Sequence, residues 1–144
     1  MTVFELSNLL VLPFWALMVF LPLWGVTRRV IASPWIVAPP AVLYLITLVP
    51  VAAMVMPEVM NPVQARIASL LGTPTGTTLA WAHFVAFDLF VGRWIYNDSS
   101  SRRYSVWWVS PVLVLTLLVG PVGLLLYLGA RTVMGGADVA SDPA

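Results

Sequence analysis

The sequence has no cysteine, no lysine and a single histidine. Without cysteine there is no disulfide, no thiolate metal site and no cysteine nucleophile. One histidine rules out a bis-histidine haem within one chain. A metal site on His83, Asp88 and Glu5 has no supporting ligand spacing, so no metal and no cofactor are expected. Phosphate loop, dinucleotide fingerprint and Ser–His–Asp order are missing too. All seven basic residues are arginine, to which we attach no functional weight. Charge is scarce at 9% of residues, and the net charge of +1 offers nucleic acid no electrostatic footprint.

What the chain has in excess is apolar side chain, 60% of its residues. Ordinary soluble domains are about half apolar and about a quarter charged. A chain of 144 residues with so few polar groups cannot cover a water-facing surface, and lipid is the solvent that suits it. Four stretches approach the roughly 20 apolar residues needed to cross a bilayer. They are residues 4–26, 35–56, 77–96 and 106–128. The expected fold is therefore all-α: an integral membrane four-helix bundle over residues 1–134, with a small, polar, disordered tail at 135–144. The N-terminus carries Glu5 and no basic residue, and Arg28–Arg29 come after the first stretch, so it reads as a retained helix and not a signal peptide.

Arginines set the expected orientation. Arg28 and Arg29 follow the first span, while Arg102 and Arg103 follow the third. Short arginine-rich loops stay cytoplasmic, which puts both termini outside. With no organellar targeting extension, a bacterial cell membrane is the expected location. Trp35, Trp94, Trp107 and Trp108 cluster near the cytoplasmic helix ends, as headgroup anchors or packing residues. Between the second and third spans, Asn61–Pro62 opens and Gly72 closes a short helix. Its apolar residues Val63, Ile67, Leu70 and Leu71 share one face, which suits a helix lying in the interface; a plain loop is the alternative. Frequent prolines, and the Gly120–Pro121 step in the fourth span, suggest kinks around a central cavity or simple tolerance of proline.

The third span carries the chemistry. An ionisable group at membrane depth costs about 2.5–3.5 kcal/mol on insertion scales, so Asp88 and His83 need a reason to be there. At about 100° per residue, Trp81, Val85, Asp88, Gly92 and Ile95 share one face, and His83, Phe87, Phe90 and Trp94 nearly the opposite one. The two groups serve different interfaces unless a kink unites them. Each also has a structural alternative, Asp88 bonding to backbone freed by a proline or pairing with an arginine, and His83 filling a polar niche. Gly92 admits a close neighbour, expected to be the Gly120–Gly123 face of the fourth span. Tyr127 is expected near His83, Arg93 to snorkel or pair with Asp98, and Glu5 to join a polar cluster at the outer end. The glycine faces also suit a homodimer.

The run Trp81-Ala-His83-Phe84 to Phe87-Asp88-Leu89-Phe90-Val91-Gly92-Arg93-Trp94-Ile95, followed by Gly120-Pro121-Val122-Gly123-Leu124-Leu125-Leu126-Tyr127, resembles the abscisic-acid-deficient-four-like family. The resemblance covers the last two spans in detail and the four-helix layout across the chain. Plant members are chloroplast membrane proteins needed to convert violaxanthin into neoxanthin. That conversion opens an epoxide and forms an allene, formally an isomerisation by proton removal and delivery. The resemblance implies a carotenoid-like isoprenoid as ligand or substrate. It implies His83 and Asp88 as the catalytic acid–base groups, and Trp81, Gly92, Arg93, Gly120 and Tyr127 as substrate-binding residues. A non-catalytic lipid-binding or complex-assembly subunit is the rival expectation. A small transporter fits less well, because so few polar groups lie within the spans.

Overall fold

A computed structural model describes the backbone of residues 1–140 and side chains through residue 134. The tail expected over 135–144 falls outside the fully described residues. The described residues are helical throughout, joined by short turns. The elements are α1 (Val3–Phe20), α2 (Gly25–Ala32), α3 (Ala38–Leu48), α4 (Ala52–Met60), α5 (Gln64–Leu71), α6 (Pro74–Ser101), α7 (Val106–Leu118) and α8 (Gly120–Ala140). Two 3-10 turns, Pro34–Val37 and Val49–Val51, make Pro34–Met60 one nearly continuous helical run. That run and α1 are each long and apolar enough to cross a membrane.

The capping chemistry explains the helix starts. Thr2 accepts from the Glu5 backbone at 3.2 Å, and the Glu5 carboxylate takes the Thr2 N–H at 2.7 Å, a complete capping box. Glu5 is thus committed to the start of α1 rather than to a polar cluster with His83. Thr73 caps α6 through the Gly76 N–H at 3.0 Å, with Pro74 in the first turn where its missing donor is harmless. The short helix between the second and third stretches forms, but over Gln64–Leu71. Asn61 ends α4 instead of opening α5, and Gly72 closes α5 as expected.

α6 is the axis of the molecule. Its 28 residues extend about 42 Å at 1.5 Å per residue. α1 runs parallel to it: Phe4 and Asn8 meet Trp81, Trp15 meets Gly92, and the Pro22 carbonyl accepts from the Tyr96 hydroxyl at 2.6 Å. α3 runs the other way, with Tyr44 beside His83. At the far end of α6, the Arg93 guanidinium donates to the carbonyls of Ala32 and Ser33 at 2.5 and 3.0 Å. Asn97 donates to the Ile31 carbonyl at 3.2 Å. These bonds close the C-terminal end of α2, where unpaired carbonyls favour a cation. Arg93 therefore neither snorkels freely nor pairs with Asp98.

The largest correction concerns residues 106–128, expected as one span. The helix stops at Leu118, Val119 leaves helical geometry (φ −145, ψ 73), and α8 turns back along α7. Trp108 near the start of α7 stacks on Tyr127 of α8 at 5.9 Å. Pro121 drives the break: inside a continuous helix its ring would meet the Leu117 carbonyl, whereas in the first turn of a new helix it fits. Gly123 then lets α8 lie directly on α7, because a Cβ there would overlap Thr116. With only 13 residues, α7 climbs about 20 Å, half the length of α6, before the chain returns. Residue 131 consequently lies beside the Asp98 end of α6, opposite the start of α1, where the expectation had both termini on one face.

Gly92 also has a different neighbour from the one expected. A Cβ there would strike the six-membered ring of Trp15, which is 2% exposed. Gly76 is closed by the Leu70 backbone, and Gly120 by Asp88. These glycines are consumed within the chain, so a dimer would need another surface. The 430 Å³ cavity between α1, α2, α6 and α7 opens near Arg28 and Arg103 at one end of the bundle, not at its centre. Since the ring of Trp15 has no room to move aside, Gly92→Val is expected to destabilise the protein by about 1–3 kcal/mol. Thermal unfolding in detergent, followed by tryptophan fluorescence, measures it; an unchanged midpoint would mean that α1 packs elsewhere.

Candidate functional site

Asp88 sits half-way along α6, half-buried, with its carboxylate against Gly120 at the tip of the α7–α8 hairpin. A Cβ on Gly120 would occupy the position of the carboxylate oxygen, so the absence of a side chain there makes room for the acid. Among the described residues, Asp88 has no hydrogen-bond or ion-pair partner. Neither alternative role, bonding to freed backbone or pairing with arginine, is seen. About one turn further along the same seam, Val91 and Leu124 begin an apolar groove of about 430 Å³ between α6 and α8, completed by Phe90, Trp94 and Leu128.

His83 is elsewhere. It is exposed on the opposite face of α6, stacked on Phe87 at 4.6 Å and edge-on to Tyr44 at 5.5 Å. α6 passes unbroken through both positions, so no kink unites His83 with Asp88. Trp81, on the Asp88 side of the helix, donates its indole N–H to Asn8 at 2.9 Å and packs on Phe4. Of the residues expected to gather at one site, the structure brings together Asp88 and Gly120. Gly92 serves Trp15, Arg93 serves α2, and Trp81 serves α1.

Tyr127 joins a second cluster that sequence reasoning missed. Its hydroxyl donates to Asp98 Oδ2 at 2.7 Å, and the same oxygen receives Arg102 at 3.0 Å and Arg131 at 3.3 Å. The Arg131 guanidinium lies 5.6 Å from the ring centre of Trp94, which meets Tyr127 edge-on. Asp98 thus ties the returning α8 to the end of α6. The four-residue spacing of Asp98 and Arg102 was the available signal. Tyr127 and Arg131 were hidden because their position depends on the fold-back.

A family model described as ABA DEFICIENT 4-like matches residues 2–127, which include Asp88, Gly120 and Tyr127. The chain belongs to that family. Among curated proteins, the chain is similar to the Arabidopsis thaliana protein ABA DEFICIENT 4, chloroplastic, with 29% identity over 143 residues. The alignment covers 92% of this chain and 62% of that relative, so this family member spans less than two thirds of its length. That relative is a plant chloroplast protein and lends no support to the bacterial setting expected from the sequence. No solved structure matches.

Replacing Tyr127 by Phe removes one donor from Asp98 and keeps the ring stacking. A loss of about 1 kcal/mol is expected. Asp98→Asn, which also removes the charge shared by Arg102 and Arg131, is expected to loosen α8. Limited trypsin cleavage at Arg131 should quicken in both variants, and more in Asp98→Asn; wild-type rates in both would mean that Asp98 does not hold the hairpin.

Proposed function

We propose that this family member is an integral membrane protein that binds and acts on a carotenoid-like isoprenoid, with Asp88 taking up and returning a proton inside the bilayer. The membrane reading is supported by the two long apolar helical runs and by apolar side chains that face outward on several helices. Leu12, Leu45, Ile46, Phe84, Phe87 and Leu125 are each at least half exposed, a surface suited to lipid rather than water. In this proposal α1, the Pro34–Met60 run and α6 cross the bilayer. The α7–α8 hairpin enters from the arginine-bearing end and returns there, while α5 lies along the opposite interface. Both arms of the hairpin are helical, so their backbone groups are satisfied at membrane depth. Arg28, Arg29, Arg102 and Arg103 then mark the cytoplasmic side.

One observation carries the chemical part: a carboxyl group without a partner lies about one turn of α6 from the Val91–Leu124 end of an apolar groove that Phe90 and Trp94 help to line. A polyene is a flat, apolar rod that stacks on aromatic rings. The isomerisation implied by the family resemblance needs a proton removed at one position and delivered at another. A carboxyl about one turn from the groove can do both in turn, provided water is kept out. Gly120 makes the space for that group, and Trp94 and Phe90 hold the substrate. His83, on the other face, is assigned a lesser part, at the α3 side of the bundle. The contact of Asp88 with the hairpin tip also favours a second reading, in which the carboxylate is a packing element of a non-catalytic binding or assembly subunit.

Pigment analysis of cells carrying Asp88→Asn distinguishes the two. Under the catalytic reading, carotenoid conversion falls by at least a hundredfold with protein abundance unchanged, and His83→Ala retains most of it. Under the packing reading, Asp88→Asn lowers protein abundance and alters no carotenoid. Unchanged carotenoids with normal protein levels would sink the catalytic reading.

A further inference from the structure

At the end of the bundle away from the α6 N-terminus, a cavity of about 430 Å³ is walled by α1, α2, α6 and the start of α7. Its floor is apolar, with Met18 and Leu113 fully buried. Its polar lining holds two arginines, Arg28 from α2 and Arg103 from the α6–α7 link, with the hydroxyl residues Tyr96, Ser99 and Ser110. No carboxylate lines it. The nearest acid in sequence, Asp98, is already shared among Tyr127, Arg102 and Arg131. Neither Arg28 nor Arg103 forms an ion pair among the described residues. Two positive charges therefore face one concave space with nothing of opposite sign to meet them.

The backbone at Arg103 makes the arginine conspicuous. Its φ of 55 is the one positive φ at a non-glycine residue among the described residues. The Tyr104 N–H bonds the Ser99 carbonyl at 2.9 Å and the Arg103 N–H bonds the Ser100 carbonyl at 3.2 Å. This is the Schellman ending of a helix, where glycine is the unstrained choice. Keeping arginine here sets a charge on the cavity wall against a local backbone cost. Tyr104, beside it, also contributes to the cavity lining.

We propose that this cavity binds the phosphate group of an anionic amphiphile, with Arg28 and Arg103 holding the phosphate oxygens and the Met18–Leu113 floor taking the first part of an apolar chain. Guanidinium groups match phosphate geometry with paired donors and keep their charge at any physiological pH. A basic pocket between helices near the membrane surface is the setting in which lipid phosphates are recognised. The site is separate from Asp88 and does not depend on the role given to that residue.

The test uses the full chain purified in a nonionic detergent and offered phosphatidic acid and phosphatidylcholine in equal amounts. Bound lipid is counted by native mass spectrometry. The wild-type protein is expected to retain phosphatidic acid in preference. Arg28→Gln and Arg103→Gln should each weaken it about tenfold, the loss of a charged hydrogen-bonding partner. Arg103→Gly should weaken it equally while raising thermal stability without lipid, which separates loss of the charge from misfolding. Arg29→Gln, outside the cavity lining, should behave as wild type. Competition by inorganic pyrophosphate would support the same anion site with a soluble ligand as its source. No preference for phosphatidic acid, or an equal loss in Arg29→Gln, would overturn the proposal.

Discussion

Everything in this molecule depends on how closely the other helices approach α6. In the membrane setting proposed above, lipid would give apolar helices no reason to prefer each other over acyl chains, and association would rest on packing. Packing here is made by missing side chains. Ala82, Ala86 and Gly92 leave a shallow side on α6, and the bulk of Trp15 fills the deepest point. Gly120 and Gly123 perform the same service on α8, one for Asp88 and the other for α7. Small residues on one helix are answered by a large or polar group on its neighbour. A methyl group added at Gly92 would collide with the buried ring of Trp15, and one added at Gly120 with the carboxylate of Asp88.

Polar groups are distributed by the same economy. At the ends of α6 they are satisfied by one another or by backbone: Arg93 and Asn97 with α2, Asp98 with Arg102, Tyr127 and Arg131. Along the middle of α6 they are few. His83 lies outward among aromatic rings, and Asp88 meets the bare backbone of Gly120. A half-buried side-chain acid left without a partner is costly wherever water is scarce, and Asp88 is in that position half-way along α6.

The fold-back of α7 and α8 sets what each of the two acids of α6 meets. A single straight span over residues 106–128 would carry Tyr127 toward the His83 end and leave Asp98 to Arg102 alone. The hairpin instead delivers Gly120 to Asp88 at its tip and Tyr127 and Arg131 to Asp98 at its base. It also creates the groove between α6 and α8, since Leu124 and Leu128 face Phe90 and Trp94 only when α8 descends. The Arg28–Arg103 cavity at the base follows from the same geometry, because the short link after α6 must turn at once into α7.

Composition showed that the chain is oily, and the local signal at Gly72 located a helix end because caps depend on neighbours in sequence, whereas Asn61, read as a helix start, closes α4 instead. The 100° spacing likewise separated His83 from Asp88, since a helix face is a local property. The family resemblance was legible in residues 81–95 and 120–127 for the same reason. Tertiary structure decided the partners. Whether Gly120–Pro121 kinks a span or reverses it depends on what waits for the returning helix, and that is the Asp98 end of α6, 22 residues earlier in the chain. Trp15 in the Gly92 hollow, Arg93 on the carbonyls of α2 and the two-arginine cavity all join segments far apart in sequence, where no periodicity carries the information.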